Sequence, residues 1–343
     1  MGRAGTVAGA VPIMAAAAAV LVARRRRLRP LDGRVVLITG GSRGLGLELA
    51  RRAAERGARI AICGRDGASL EGARDELERT GAQVIAVRCD VGRADEVRDM
   101  VAAVQRGLGP VDVLIANAGT ITVGPVEVQD PEDFREAIDT MFWGVVHSVL
   151  AVLPGMRTRG DGAIAVITSV GGKVAVPHLL PYAAAKFAAV GFSEGLAAEV
   201  AADGVRVTTV VPGLMRTGSH LNATFKGRHR GEFTWFGVGA SLPLVAVDVR
   251  RAATQVLDAV ERGRVEVFVG WPAKVAARVH GVMPGTTTRV LAGVDRLLPS
   301  GGAATSRRGY ESQTWVTRSP ITLLGARAAR RQRQLQRSRG SEG

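Results

Sequence analysis

Between residues 31 and 270, short Val/Ile-rich runs alternate with amphipathic stretches, and this rhythm constrains the fold more than any other feature of the chain. Runs of β-branched residues separated by helix-length segments mark parallel strands joined by helical crossovers. They predict strands at 34–39, 58–63, 83–88, 111–116, 162–168, 205–210 and 264–269, with helices near 44–56, 67–80, 93–107, 131–153, 181–202 and 247–262. The expected fold class is α/β, a single Rossmann-type, doubly wound parallel sheet of about seven strands. The other residues form appendages. Residues 1–30 are an apolar segment ending in an Arg run, 271–299 read as C-terminal amphipathic helices, and 300–343 as a basic, disordered tail.

Composition removes several classes. The chain is 46% hydrophobic and 22% charged, a globular balance that excludes wholesale disorder. Its two cysteines cannot build a disulfide framework, and neither stands at metal-ligand spacing, so no metal is expected. The net charge of +15 invites a nucleic-acid reading, but residues 1–30 and 326–343 carry +11 of it and residues 31–325 only +4. On so balanced a body no nucleic-acid partner is expected.

The first strand runs into Thr39-Gly40-Gly41-Ser42-Arg43-Gly44-Leu45-Gly46, and a helical pattern follows at once. Glycines let the backbone turn tightly and approach a pyrophosphate, whose charge then faces the free N–H groups of a helix N-terminus. An isolated glycine-rich turn would mean little, but here the strand before and the helix after supply the required context. The Gly-x-x-x-Gly-x-Gly spacing resembles that of the short-chain dehydrogenase/reductase family. At the end of the second strand stands Cys63-Gly64-Arg65-Asp66. Arg65 and Arg43 offer guanidinium forks to a 2′-phosphate, which favours NADP(H) over NAD(H). Asp66 lies one place beyond the usual acidic position of NAD enzymes.

Tyr182-Ala183-Ala184-Ala185-Lys186 sets a phenol and an ammonium one helical turn apart on a single face. A nearby ammonium favours the phenolate and is expected to lower the Tyr182 pKa toward that of a working acid/base. Ser169 precedes Tyr182 by thirteen residues at a strand's carboxyl end, where open α/β sheets place ligands. A Ser at this strand end followed by Tyr-x-x-x-Lys is also the family pattern. The resemblance implies that Ser169 hydrogen-bonds the substrate oxygen, Tyr182 passes the proton, and Lys186 holds the nicotinamide ribose. It likewise implies cofactor contacts from Gly40, Ser42, Arg43, Gly44, Leu45 and Gly46, and from Asp90-Val91 beside the adenine. Asn117-Ala118-Gly119 would line the cofactor, and Pro212-Gly213 with Thr217 would meet the carboxamide. These elements follow the family's order across residues 34–270.

One element departs from the pattern. Met141 stands where the family usually carries an Asn that supports a water relay to the Lys, and a thioether cannot hold that water. Two readings follow: an oxidoreductase moving hydride between NADP(H) and a carbonyl/alcohol pair, or an NADP(H)-binding sensor or scaffold with little turnover. His147 reads as a residue that packs or faces solvent, and Cys63 and Cys89 as small buried hydrophobes; His178 stands in a loop over the site, within reach of substrate, though loop placement favours no catalytic role. The long segment 214–246 falls where the resemblance implies a substrate lid, and long loops in compact domains are usually functional. It holds Phe225, Phe233, Trp235 and Phe236, which either line a pocket for a hydrophobic substrate or pack the lid onto the body. The resemblance implies a homo-oligomer through the long helices. Residues 4–23 are uncharged and precede Arg24–Arg27, as in a membrane anchor that leaves the catalytic domain cytoplasmic; Pro12, Gly5, Gly9 and the many alanines weigh against spanning and leave a disordered leader as the alternative. A second apolar face, of Val290, Leu291, Val294, Leu297 and Leu298, fits an interfacial helix.

Overall fold

A computed structural model describes residues 28–241, 246–312 and 328–334. Seven strands form one parallel sheet in the order β11-β7-β6-β4-β1-β2-β3. In the chain they are β1 (Val35–Thr39), β2 (Arg59–Gly64), β3 (Val84–Arg88), β4 (Val113–Ala116), β6 (Gly162–Ile167), β7 (Val205–Pro212) and β11 (Glu266–Val269). β1 is buried at every position, as a parallel strand covered on both faces must be.

Helices cover both faces. On one lie α1 (Gly44–Glu55), α2 (Gly67–Glu78) and α8 (Val249–Glu261), whose apolar stripes join Val36, Ile38 and Ile60 in one core. On the other lie α3 (Ala94–Leu108), α5 (Gly144–Arg159) and α6 (Leu180–Glu199), packed on Val35, Leu37 and Ile164. Acidic caps set the starts of α2 and α8. Asp66 accepts from Ser69 N at 2.7 Å, and Asp248 from Arg250 N at 3.0 Å. The helix expected over 131–153 is α4 (Pro131–Ile138), a π-turn (Asp139–Trp143) and α5, which continues through Pro154 to the left-handed Gly160. These 29 residues are long and apolar enough to cross a membrane, but half of their most apolar 18-residue window is buried in the fold.

The strand order reverses between β1 and β4, so a crevice opens outside their carboxyl ends. Over it lies a smaller layer, in which β5 (Thr122–Val123) pairs in parallel with β9 (Thr224–Gly227), and α7 (His229–Ser241) follows. Segments β8 (Met215–Arg216) and β10 (Val247–Asp248) pair beneath it. A helical hairpin, α9 (Trp271–Val282) and α10 (Pro284–Asp295), matches the two apolar stretches after residue 270.

The tail departs from the disorder that its composition led us to expect. Residues Ala303–Arg308 form β12, antiparallel to β9, and residues 328–334 dock beside the glycine loop. Tertiary partners supply what composition lacks: the open edge of β9 offers hydrogen bonds, and Ala329 is buried in a cluster with Phe225 and Phe233. Residues 1–27, including the apolar segment and the Arg run, lie outside the described residues, as do 335–343.

Candidate active site

The glycine loop is built for close backbone approach. Gly40 and Gly44 hold φ of 65° and 59°, a region that only glycine enters without strain. A Cβ on Gly46 would collide with the Gly40 carbonyl oxygen. The Thr39 hydroxyl accepts from the N–H groups of Asn117 (2.9 Å) and Ala118 (3.0 Å), and Asn117 Nδ2 donates to the carbonyls of Thr39 and Gly40. The Asn117-Ala118-Gly119 element therefore clasps the start of the loop. Among the described residues the N–H groups of Leu45 and Gly46, in the first turn of α1, have no partner. That pair at a positive helix end, on a loop whose glycines bring no side chains of their own, fits a pyrophosphate. Ser42 is buried beneath the loop.

At the end of β2, Arg65 is exposed, while Asp66 spends its carboxylate capping α2. Arg43 lies within electrostatic range of Arg65, Asp66 and a third guanidinium, Arg308 of β12. Sequence reasoning missed Arg308, because the pairing of β12 with β9 is what carries it there.

Ser169, Tyr182 and Lys186 come together beyond the end of β6. Ser169 caps a short turn, its hydroxyl accepting from Gly171 N at 3.0 Å, and it is hydrogen-bonded to Tyr182. Lys186 is buried, with Nζ 5.8 Å from the centre of the Tyr182 ring and donating to the Ile167 carbonyl at 2.8 Å. The electrostatics differ from the expectation for this pair. Burial raises the Tyr182 pKa above its ordinary value, the Ser169 hydrogen bond offsetting only part of it. Burial also lowers Lys186 to about 8. With the ammonium turned toward a backbone carbonyl, desolvation outweighs its pull on the phenol.

The remaining expected residues stand at or beyond the ends of other strands. Asp90 accepts from Gly92 N at 3.0 Å, and Val91 is buried with its carbonyl on His147 Nδ1. Gly213 N donates to Val269 O, and Thr217 is buried with its hydroxyl accepting from Ser219 N. Met141 sits inside the π-turn, fully buried against Ala137, Ala185 and Tyr182. Cys63 and Cys89 are buried neighbours. Of the lid aromatics, Phe225, Phe233 and Phe236 are buried in a cluster that Tyr182, Ile121, Val176 and Trp235 border, so they pack the lid.

A buried pair escaped sequence reasoning. His178 holds a left-handed φ of 63°, and its Nδ1 lies 2.8 Å from Oε1 of the fully buried Glu232, to which Trp235 Nε1 also donates. It joins the loop before Tyr182 to the lid helix α7. With the partners 54 positions apart, no local pattern announces it.

Comparison with known proteins agrees with this architecture. The family model described as short chain dehydrogenase matches residues 34–225. The dehydrogenase/reductase SDR family member 7B of Danio rerio is 33% identical over 279 residues, covering 79% of this chain and 89% of that protein. A short-chain dehydrogenase from Streptomyces avermitilis superposes with a TM-score of 0.66 at 27% identity, over 77% of this chain and 97% of its own. An actinorhodin polyketide ketoreductase solved with NADPH gives 0.62 at 31% identity, over 69% and 95%. The family match spans more than half of the chain, and it coincides with the strands that frame the crevice. The chain belongs to the short-chain dehydrogenase/reductase family and is a nicotinamide-dependent oxidoreductase acting on CH–OH and C=O groups.

Proposed function

We propose that this oxidoreductase works with NADP(H) on a bulky, hydrophobic ketone or alcohol, with Ser169, Tyr182 and Lys186 as its catalytic residues. The convergence of these three side chains beyond β6 is the observation that carries the reading. The nicotinamide supplies or accepts the hydride when bound. Ser169 then orients the substrate oxygen, Tyr182 gives or takes its proton, and Lys186 meets the ribose. Lys186 must leave the Ile167 carbonyl to act on Tyr182, and cofactor hydroxyls are suitable alternative acceptors. Arg43, Arg65 and Arg308 support the preference for a 2′-phosphate, and the capping role of Asp66 removes a competing acceptor for a ribose hydroxyl. Ile121, Val176 and Trp235, partly exposed and bordering the same lid cluster as Tyr182, support an apolar substrate.

The test is a broad carbonyl panel with both cofactors. NADPH oxidation should be strongest with hydrophobic ketones and should fall by about 10²–10⁴-fold in Tyr182→Phe with NADPH binding retained. Arg65→Ala should weaken NADPH far more than NADH, and equal losses would sink the cofactor assignment. A preference for small polar sugars would overturn the substrate class. Met141 against Tyr182 favours a second reading, a cofactor-binding sensor, which gains if NADPH binds tightly and no carbonyl turns over.

We further propose a homo-oligomer and attachment to a membrane, with the catalytic domain cytoplasmic. Exposed Trp143, Leu150 and Phe187 on the long helices support self-association. Exposed Trp271, Val275, Val279 and Val282 on α9, with Val290, Val294 and Leu297 on and after α10, support a membrane-facing hairpin in addition to an anchor from residues 4–23.

A further inference from the structure

Residues 328–334 cross from one wall of the cofactor crevice to the other. On the glycine-loop wall, the Gln332 carbonyl accepts from Gly44 N at 3.0 Å. Gln332 Nε2 donates to the buried Glu48 at 3.0 Å, and Arg51 donates to Gln332 Oε1 and to the Arg331 carbonyl. Arg333 reaches α2, donating to the Gly72 carbonyl at 2.7 Å. On the lid wall, Asn222 Nδ2 donates to the Gln334 carbonyl at 3.0 Å and to its side-chain oxygen at 2.5 Å. Ala329, fully buried, fills the space left by the absent side chain of Gly218. Gln334 Nε2 lies 2.7 Å from where a Cβ on Gly44 would stand, so the segment rests on the loop at a point that only glycine leaves open.

Two arrangements would produce such contacts: a plug that fills the phosphate position, or a strap that closes over it. The N–H groups decide between them. The segment takes that of Gly44 but leaves those of Leu45 and Gly46 unpaired among the described residues, and these are the groups suited to a pyrophosphate. We propose that residues 328–334 are a strap that joins the lid to the glycine loop and retains the bound nicotinamide dinucleotide, with Gln332 and Gln334 as its positioning residues. The inference rests on the crevice being the cofactor site. Cofactor exchange then requires the strap to lift, so the strap governs release more than affinity, because entry is slowed along with exit.

The experiment uses the full chain and NADPH fluorescence, with bound NADPH chased by excess NADP⁺ in a stopped-flow mixer. Ala329→Glu, which cannot seat under Gly218, and Gln332→Glu, which sets a carboxylate against Glu48, should each speed release about tenfold or more. Amide exchange at residues 44–47 should quicken in the same variants. The double variant Gln332→Ala/Gln334→Ala removes only side-chain hydrogen bonds and tests the strap should a buried charge prevent folding. Unchanged release in all variants that fold overturns the strap. Tighter NADPH binding with unchanged release also overturns it, and identifies a plug. If the unaltered chain binds neither NADPH nor NADH, the cofactor reading itself fails, an outcome separate from either.

Discussion

His220, tilted against the Phe233 ring in the lid, carries a consequence for acid stability. Burial lowers its pKa from 6.5 to about 4. Below 6.5 the unfolded chain takes up a proton that the folded chain refuses, so stability is full above that pH and falls as pH drops toward 4. His220→Phe should flatten this limb in urea titrations between pH 7 and 4, and an unaltered slope would refute the assignment. Individual positions also mark where sequence reading ended. Ser169, Tyr182 and Lys186 were legible because strand-end position and one-turn spacing bring them together by local geometry alone. The direction of the Tyr182 pKa was not, because it depends on burial and on which acceptor Lys186 finds. Arg308 and Glu232 were hidden for a related reason: each reaches the site through long-range pairing.

Strands and helices of the sheet followed from alternation of β-branched runs with amphipathic stretches, and their ends fall within a few residues of expectation except in the helix that runs on through Pro154. The lid could not be read in this way. Its aromatic residues fit either a pocket or a core, and only the packing of Phe225, Phe233 and Phe236 on Val123, Leu179 and Leu221 decides for the core. Phe225→Ala should therefore cost about 3–5 kcal/mol of stability, measured by chemical denaturation. A loss below about 1 kcal/mol, with substrate KM raised instead, would return Phe225 to the pocket. Strand β12 shows the converse error, since a segment rich in Gly, Ser and Arg becomes ordered once the edge of β9 is available to it.

Two apolar features bear on where the whole protein resides: residues 4–23, outside the described residues, and the exposed hairpin of α9 and α10. Full-length protein should pellet with membranes and resist a high-salt wash, since apolar burial is insensitive to screening. Full recovery in the soluble fraction would defeat membrane attachment. Loss of pelleting on deleting residues 1–29 would assign it to the N-terminal segment, whereas loss in Val282→Glu/Leu297→Glu would assign it to the hairpin. Both of those side chains are more than 80% exposed, so neither substitution disturbs the core.

The bond between Gln332 and Glu48 spans 284 residues of chain. At about 5–20 residues per second, a ribosome takes tens of seconds to make that length. For that interval the first βαβ unit is already exposed while its last partner does not yet exist. Until residues 328–334 emerge, the glycine loop and Glu48 of a growing chain must therefore do without the contacts that this segment supplies in the folded protein.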